Sequence, residues 1–328
     1  MRPIESLGEK EVIRILTSRM EIPETPIPFG DDVSAIRIER NLLAVLKTDM
    51  LVGRTDVPPG MSLRQAARKA VVMNVSDFAS KGVKPVAVLA SLGLPKGLKE
   101  KDIREIGEGL NEGAREYGAY VIGGDTNEAS DLIISCSLLG FSDKENLVNR
   151  FGAKPGDIVA VTGEFGKTAA GLKILIEGLT VPDKIGNPLK EAVLMPKARL
   201  KEGVALSKTG GLTSSIDSSD GLAWSLYELL DASNVGFIID NLPVAKEAVE
   251  FSSIYGLDPY ELSLYGGEEY ELIVTIDPDF WEESKRSVEK SGGSLIKIGV
   301  TTKEKKIVLK LDGEIRGIER RGWEHFRI

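Results

Sequence analysis

The chain has 328 residues, 42% of them hydrophobic, which is ample apolar material for a core and more length than one ordinary domain needs. Its 42 basic and 50 acidic residues give a net charge of −8, and no cluster of Lys and Arg stands out. This balance argues against a nucleic acid or an anionic membrane as a partner, and the length predicts two domains.

The first half of the chain alternates between helical periodicity and short runs typical of strands, which predicts an α+β or α/β domain. The helix predicted over 62–81 has Ser62 as its N-cap and ends at Gly82, before Pro85. Strands that occur in pairs between helices indicate a mixed or antiparallel sheet. We predict helices near 5–20, 62–81 and 99–117, and strands at 33–39, 42–48, 84–92, 119–123 and 132–140.

A polar stretch over 142–157 contains Gly152, Pro155 and Gly156, and it predicts the boundary between two domains. We therefore place an N-terminal domain over 1–148 and a C-terminal α+β domain over 149–328. In the second domain we predict helices over 167–178, near 197–208 and after Asp220, and strands at 157–163 and near 235–240, 270–276, 295–300 and 305–311.

The segment VTGEFGKTAAGL places a strand, a glycine turn, Lys167-Thr168 and a helix in the order of a Walker A phosphate loop. That loop needs four residues between its glycines so that the backbone can wrap phosphates. Only two residues separate Gly163 from Gly166, and Val161 stands where the earlier glycine should be. The spacing therefore favours a tight strand-to-helix turn without a ligand.

Histidine and cysteine each occur once, as His325 and Cys136. One chain can therefore form no internal disulfide and, unless His325 folds back, no Ser-His-Asp, Cys-His or His-rich metal site. We interpret Cys136 as a buried strand residue, and a single cysteine suits a reducing, cytoplasmic location. The sequence begins without an apolar leader and contains no run long enough to span a membrane. Carboxylates must carry the chemistry.

Acidic residues recur at turns and at the ends of predicted elements rather than on solvated helix faces. Singly, each is explained as a turn former or an N-cap, but six such groups, several of them preceded by apolar runs, indicate a shared site. The groups are Gly30-Asp31-Asp32, Lys47-Thr48-Asp49, Asn74-Val75-Ser76-Asp77, Gly123-Gly124-Asp125-Thr126, Asp217-Ser218-Ser219-Asp220-Gly221 and Gly266-Gly267-Glu268-Glu269-Tyr270.

Carboxylates gathered without histidine or cysteine suit hard divalent cations, which take oxygen ligands and usually bridge phosphate oxygens. Magnesium would also solve a charge problem, because a chain with a net charge of −8 cannot hold a polyphosphate beside its own carboxylates without metal ions. Gly123-Gly124, Gly221 and the helix after Asp220 are plausible backbone contacts for phosphate. These residues predict a site for magnesium and a nucleotide.

The ordered set of motifs resembles the thiamine-monophosphate kinase family, from about residue 29 to the C-terminus. Single motifs such as GGD are unspecific, but their order and approximate spacing are highly specific. The motifs are FGDDVSAI, KTDMLVG, RKAVVMNVSDFASKGVKPVAVLASLGLP, VIGGDT, RFGAKPGDIVAVTGEFGKTAAGL, IDSSDGL, LYGGEEYELIVT and GWEHF. The resemblance implies the α+β fold of aminoimidazole ribonucleotide synthetases, with two mixed domains and an N-terminal domain that forms a barrel with its copy in a homodimer.

The resemblance also implies roles for individual residues, with several Mg²⁺ ions as cofactor and ATP and thiamine monophosphate as partners. The implied metal ligands are Asp31, Thr48, Asp49, Asp77, Asp125 and Asp217, with Asp220 at a further metal. The implied ATP contacts are Gly124, Asp125, Arg150 and Ser219, and the implied contacts of the thiamine moiety are Glu268 and Trp323.

Three positions depart from the family pattern. Asp56-Val57 stands where many bacterial members have His-Phe, so we suggest that Asp56, together with Glu268, attracts the cationic thiazolium ring. The alternative is that Asp56 only shapes the turn before Pro58-Pro59. The GGEDYEL motif reads GGEEYEL, which lengthens the side chain at Glu269 by one methylene, and Gly107-Glu108 falls near the place of an aromatic residue that meets ATP.

The activity implied is direct in-line transfer of the γ-phosphoryl group of ATP to thiamine monophosphate, which gives thiamine diphosphate. The acceptor is already an anionic phosphate oxygen, so no residue is needed as a general base, and positioning and charge neutralisation carry the reaction. Two alternatives remain: another ATP-dependent enzyme of the same fold that activates a carbonyl or amide oxygen, and a regulatory protein that binds a divalent cation or a nucleotide without turnover.

Overall fold

The computed structural model of the chain describes residues 3–311 and 313–323, and two mixed β-sheets organise these residues. The first sheet has the strand order β1-β2-β5-β3-β4, in which β3 and β4 are parallel and the other neighbours antiparallel. His325 lies outside the described residues. The elements of this half are α1 (Glu9–Thr17), β1 (Ser34–Arg37), β2 (Leu42–Val52), α2 (Gly53–Asp56), α3 (Leu63–Ser80), β3 (Lys84–Leu94), α4 (Glu100–Glu116), β4 (Tyr120–Glu128) and β5 (Ile133–Asp143), with short 3₁₀ helices at Ile4–Ser6 and Lys144–Asn146.

Helices α3 and α4 cover one face of the first sheet and pack closely on each other. The close approach needs Gly109, because a Cβ atom there would lie 2.1 Å from the carbonyl oxygen of Arg64. Helix α3 begins at the predicted N-cap, Ser62, which forms a capping box: the backbone N–H of Gln65 donates to Ser62 Oγ, and the N–H of Ser62 donates to the Gln65 side chain.

The opposite face of the first sheet, which we call the open face, carries exposed apolar side chains. Residues alternate along β2, so that Leu43, Val45 and Leu51 are buried beneath the helices while Leu46 and Met50 are exposed on the open face. Other exposed apolar residues on these strands are Ile36, Leu89 and Phe141, together with Tyr120, Val121 and Ile122 on the edge strand β4. A free sheet face of this kind is typical of an interaction surface.

The second sheet has the order β12-β11-β8-β10-β6-β9-β7 and packs against the helices of its own half. Its strands are mostly antiparallel, and β11 runs parallel to β8. The elements are β6 (Ile158–Val161), α5 (Lys167–Glu177), α6 (Asp183–Leu194), α7 (Leu200–Ser207), β7 (Leu212–Asp217), α8 (Leu222–Ser233), β8 (Gly236–Ile239), α9 (Lys246–Tyr255), α10 (Pro259–Tyr265), β9 (Leu272–Ile276), α11 (Trp281–Lys290), β10 (Ile296–Thr302), β11 (Ile307–Leu311) and β12 (Glu314–Gly317), with a 3₁₀ helix at Pro278–Phe280.

The predicted helices and strands are present, with ends that differ by a few residues, and β4 extends five residues beyond the predicted strand, to Glu128. Helix α6 was not predicted, because Gly186 and Pro188 inside it both disfavour a helix. Burial of Ile185 and Leu189 against neighbouring helices overrides these local preferences. Segment 144–157 connects the two sheets, and the division at 148/149 stays a prediction.

The two halves of the chain meet along α3. Helix α7 packs on α3 so closely that a Cβ atom at Gly203 would lie 1.9 Å from the carbonyl oxygen of Ala79. Strand β7 also contacts α3, and the ammonium of Lys81 donates to the carbonyl oxygen of Ser215 at 2.8 Å. The C-terminal end of α3 is thereby fixed beside the C-terminal end of β7, where Asp217 stands.

Candidate metal and phosphate site

Three buried aspartates from distant parts of the chain meet at this junction. Asp32 precedes β1, Asp77 lies in α3 and Asp217 ends β7, and each offers a carboxylate oxygen within 4.8 Å of the others. Like charges at this separation repel, and burial removes the water that would screen them. The three carboxylates can therefore stay ionised together only if nearby cations balance their charge.

Two basic side chains supply positive charge on one side of the cluster. The ammonium of Lys81, which is fully buried, lies 2.7 Å from oxygens of both Asp31 and Asp32, and the Arg150 guanidinium forms a second ion pair with Asp32. Burial alone would raise the pKa of Asp32, but Arg150 and Lys81 outweigh it and hold that pKa below its usual range. Asp32 therefore stays ionised.

A third basic side chain, Lys47, lies on the other side of the cluster. Its ammonium is 2.9 Å from Asp77 Oδ2 and 3.0 Å from Asp49 Oδ1. Asn74 fixes this end of β2 to α3, because its side-chain oxygen accepts a hydrogen bond from the backbone N–H of Asp49. Burial raises the pKa of Asp77 well above its ordinary value despite the attraction of Lys47, and repulsion from Asp49 adds to the shift.

The donor chemistry of the cluster fits a hard divalent cation. Burial raises the pKa of Asp217 to about 6, with repulsion from Asp32 adding, although Ser76 donates a hydrogen bond of 2.6 Å to its carboxylate. The hydroxyl oxygens of Ser215 and Ser218, on either side of Asp217, are buried without a hydrogen-bond partner among the described residues. The crowded carboxylates are oxygen ligands that a Mg²⁺ ion would accept, and the two unsatisfied hydroxyls lie within two residues of Asp217 in the chain.

The structure separates the remaining predicted metal ligands of the first sheet. Successive residues of a strand point to opposite faces, so Asp49 faces α3 while Thr48 lies on the open face, where Ser137 donates to its hydroxyl. Asp125 is exposed in β4 and pairs with Ser91, which is also on the open face. Three strand spacings, roughly 14 Å, separate β4 from β2, so Thr48 and Asp125 of one chain cannot bind the same ion.

Gly124, predicted to contact ATP, has a structural role within the sheet. A Cβ atom at this position would lie 1.8 Å from the carbonyl oxygen of Ala90, so only glycine allows β4 to pair here with β3. The guanidinium of Arg150 donates hydrogen bonds to the Asp32 carboxylate and to the carbonyl oxygen of Gly30. Arg150 thus contacts the aspartate cluster, whereas Gly124 lies in β4 next to Asp125 in the chain, and the contacts of both residues with ATP stay predictions.

A second group of predicted residues lies at the start of α8. The backbone N–H of Glu268 donates to the carbonyl oxygen of Ser219, and the N–H of Trp323 donates to that of Asp220. Burial raises the pKa of Asp220 to about 7, and repulsion from Glu9 adds to the shift. The Trp323 side chain is 54% exposed. The fold thus brings together the residues predicted for a further metal, for ATP and for thiamine.

A buried lysine joins the two residues predicted to attract the thiazolium. Lys69 is 1% exposed, and its ammonium donates to the Glu268 carboxylate and, at 2.9 Å, to the backbone carbonyl oxygen of Asp56. The Asp56 carboxylate accepts a hydrogen bond of 2.7 Å from the backbone N–H of Val52, which gives it a role in the turn. The carboxylates of Asp56 and Glu268 and the ammonium of Lys69 together carry one net negative charge.

The near miss to a phosphate loop is explained by the chain's own Glu269. Its carboxylate accepts hydrogen bonds from the backbone N–H groups of Gly166 and Thr168, at 2.6 and 3.2 Å, at the start of α5. It therefore occupies the position at a helix N-terminus where a phosphate would bind. A cleft of about 710 Å³ opens beside this turn, lined by Lys167, Arg199 and several carboxylates, but it lies apart from the aspartate cluster. The sequence interpretation of a turn without a ligand agrees with this geometry.

We expect Glu269→Gln to change how stability depends on pH. Burial raises the pKa of Glu269 to about 7, above the ordinary value of about 4.3, so its stabilising contribution is present below that ordinary value and is lost as the pH rises through about 7. Glutamine keeps the acceptor oxygen and cannot ionise. Melting temperatures are measured for both proteins at pH 5 and pH 8. We expect the variant to melt at a higher temperature than the parent at pH 8 and at the same temperature at pH 5. An equal difference at both values would contradict the prediction.

The sequence analysis gave no individual role to four charged residues of the site, although Asp32 and Lys47 stand in two of its acidic groups. Asp32, rather than its neighbour Asp31, completes the cluster with Asp77 and Asp217, and the Asp-Asp pair was the only signal. The lysines at 47, 69 and 81 lie in a strand, inside α3 and at its end, and local pattern gives no sign that Lys69 and Lys81 are buried and Lys47 half-buried. Cys136 is a buried strand residue as predicted, and burial raises the pKa of its thiol to about 12.

Comparison with known proteins identifies relatives over nearly the whole chain. The N-terminal domain of AIR synthase related proteins matches residues 30–142, and the C-terminal domain matches residues 154–312. The thiamine-monophosphate kinase of Pyrococcus horikoshii is 37% identical, covering 98% of this chain and 97% of that protein. That of Bacillus subtilis is 31% identical, covering 98% of this chain and all of that protein.

Solved structures show the same fold. The structure of AaThiL complexed with AMPPCP and TMP is similar with a TM-score of 0.85 at 27% identity, and it covers 99% of each chain. The thiamine monophosphate kinase of Aquifex aeolicus gives a TM-score of 0.80, over 96% of this chain and 99% of that one. Within the described ranges of this chain, every helix is too short or too polar to cross a membrane.

Proposed function

Since the chain belongs to the thiamine-monophosphate kinase family of AIR synthase related proteins, we propose that it transfers the γ-phosphoryl group of ATP to thiamine monophosphate. The observation that carries the proposal is the meeting of Asp32, Asp77 and Asp217 at the junction of the two halves, beside Asp49. A cluster of this composition can hold metal ions against a polyphosphate. A cytoplasmic location fits a chain with a single cysteine.

We assign the residues as the family resemblance implies, with Asp32 added from the geometry. Asp31, Asp32, Thr48, Asp49, Asp77, Asp125, Asp217 and Asp220 would hold several Mg²⁺ ions, which neutralise charge on the phosphates when bound. The residues proposed for ATP are Gly124, Asp125, Arg150 and Ser219, and those proposed for thiamine monophosphate are Asp56, Glu268 and Trp323.

The chain contributes to the reaction by positioning and by charge. The carboxylates face one another across the junction, so substrates that bind there are oriented by both halves of the chain at once. The acceptor phosphate oxygen is already anionic, so in-line transfer needs no residue to remove a proton. Arg150, held by Asp32, is a fixed positive charge for a phosphate.

Phosphorus-31 NMR tests the activity directly. The protein is incubated with Mg·ATP and thiamine monophosphate, and we expect diphosphate signals of thiamine diphosphate together with ADP. A sample without thiamine monophosphate is the control for ATP hydrolysis. Consumption of ATP with thiamine monophosphate unchanged would favour another ATP-dependent reaction of this fold, and no turnover of either would favour a regulatory protein.

We further propose a homodimer in which the open faces of two chains form a barrel. Exposed apolar residues such as Met50, Leu89 and Ile122 would then be covered. The separation of Thr48 from Asp125 within one chain supports this arrangement, because a second copy laid on the open face can bring its own strand edge close to Thr48.

Light scattering is expected to give twice the mass of one chain at micromolar concentration. Ile122→Glu should shift the protein to monomer, because it would place a charge in the apolar contact. Ile176→Glu is the matched control, since Ile122 and Ile176 are 67% and 62% exposed and Ile176 lies on α5 in the other half. A stable, active monomer of the parent protein would refute the dimer.

Replacing Asp56 by asparagine separates its two possible roles. Asparagine keeps an oxygen for the N–H of Val52, so the turn is preserved while the charge is removed. If the charge attracts the thiazolium, the KM for thiamine monophosphate rises about tenfold for each 1.4 kcal/mol lost, and the KM for ATP is unchanged. Steady-state kinetics with each substrate varied in turn measures both. Two KM values equal to those of the parent would leave only the turn role.

A further inference from the structure

Lys47 occupies an unusual place for a lysine within a site proposed to bind cations. Its side chain leaves β2 on the face covered by α3 and is only 19% exposed. Its ammonium contacts one oxygen of Asp77 in α3 and one oxygen of Asp49, two positions further along the same strand. Both carboxylates are among the proposed magnesium ligands.

The other two cations of the cluster have different surroundings. Lys81 and Arg150 pair with Asp31 and Asp32 and also donate to backbone carbonyl oxygens, which tie them to the fold. Lys47, like Lys81, bridges two carboxylates at hydrogen-bond distance from each, but its two partners are Asp49 in β2 and Asp77 in α3. An ammonium in this position neutralises negative charge between β2 and α3 in the way that a bound cation would.

A divalent ion that used Asp49 and Asp77 together would compete with this ammonium. Both cations seek the same carboxylate oxygens, and their positive charges repel at a separation of a few ångströms. Lys47 has a flexible four-carbon stem, so its ammonium can move away while the strand stays in place.

We propose that Lys47 is a resident counter-ion, which holds Asp49 and Asp77 together in the metal-free protein and is displaced when a divalent cation binds, so that it sets the metal affinity. This inference rests on the proposed magnesium function of the same carboxylates. It makes two predictions of opposite sign for one substitution: a less stable metal-free protein and tighter metal binding.

The test compares Lys47→Met with the parent protein, using Mn²⁺ as the probe and electron paramagnetic resonance to count free ions. Without metal, we expect the melting temperature of the variant to fall by roughly 5 °C, since the buried carboxylate of Asp77 and the half-buried one of Asp49 lose their cation. We expect its Kd for Mn²⁺ to be at least about fivefold lower, because a repelling charge has been removed. Lys173→Met, which breaks an ion pair of 3.0 Å with Glu177 on α5, is the matched control and should leave the Kd unchanged.

Lys47→Gln provides a second variant, because a neutral amide can still donate to both carboxylates if methionine prevents folding. A merely structural role for Lys47 lowers stability in both variants but leaves the Kd for Mn²⁺ equal or higher. A Kd that is equal to or higher than that of the parent would therefore overturn the inference. The titrations are done without nucleotide and again with a non-hydrolysable ATP analogue, and a Kd that falls in neither condition also overturns it. Since no turnover is measured, failure here is distinct from failure to form thiamine diphosphate.

Discussion

Asp49→Asn and Asp125→Asn are each expected to lower the rate of thiamine diphosphate formation by at least about 100-fold, beyond the 10–100-fold typical of residues that only orient a ligand. Each amide keeps the shape of the side chain but loses the charge that would hold Mg²⁺. Asp49 lies between Lys47 and Asn74, and Asp125 is exposed on the edge strand. Initial rates at several Mg²⁺ concentrations measure the effect.

The fold should survive both substitutions, which circular dichroism and a thermal melt can check. Asp240→Asn is the matched control, because Asp240 is exposed at the end of β8 in the other half of the chain and should retain full activity. Normal turnover of either variant at saturating Mg²⁺ would refute that residue's assignment as a metal ligand.

Asp32→Asn is expected to have the largest effect on stability, lowering the free energy of unfolding by about 3–5 kcal/mol in metal-free buffer. Asp32 is buried and pairs with both Lys81 and Arg150, so the amide would leave the buried ammonium of Lys81 and the half-buried guanidinium of Arg150 short of negative charge. Urea denaturation, with an unchanged slope as the check on two-state behaviour, gives the difference.

The double variant Asp32→Asn, Lys81→Met tests the cause. Lys81 is fully buried, and methionine would keep most of its apolar stem while removing the charge. Part of the lost stability should therefore return, which is a coupling between the two sites. Charge imbalance at Lys81 is not the cause if Asp32→Asn lowers the free energy of unfolding by less than about 1 kcal/mol. It is also not the cause if the effects of the two substitutions on that free energy simply add.

Local sequence pattern was sufficient to predict the helices and strands whose start and stop signals lie close to them in the chain. The helix over 63–80 was predicted almost to the residue, because Ser62 is a typical N-cap and Gly82 follows its last turn. Helix α6 was not predicted, because the evidence against it is local, in Gly186 and Pro188, while the evidence for it is the burial of its apolar side against other helices.

The sequence by itself determined the kind of chemistry. With one histidine and one cysteine, carboxylates had to carry the site, and the order of the motifs placed the chain in its family. Which carboxylates meet was decided only by tertiary structure. Asp32, Asp77 and Asp217 come from three distant parts of the chain that meet where α3 packs on β7. Lys81, which pairs with Asp32, is buried only because this packing encloses it. Neighbouring side chains of a strand point to opposite faces of the sheet. Thr48 in β2 and Asp125 in β4 therefore lie on the open face, whereas Asp49 lies on the face covered by α3.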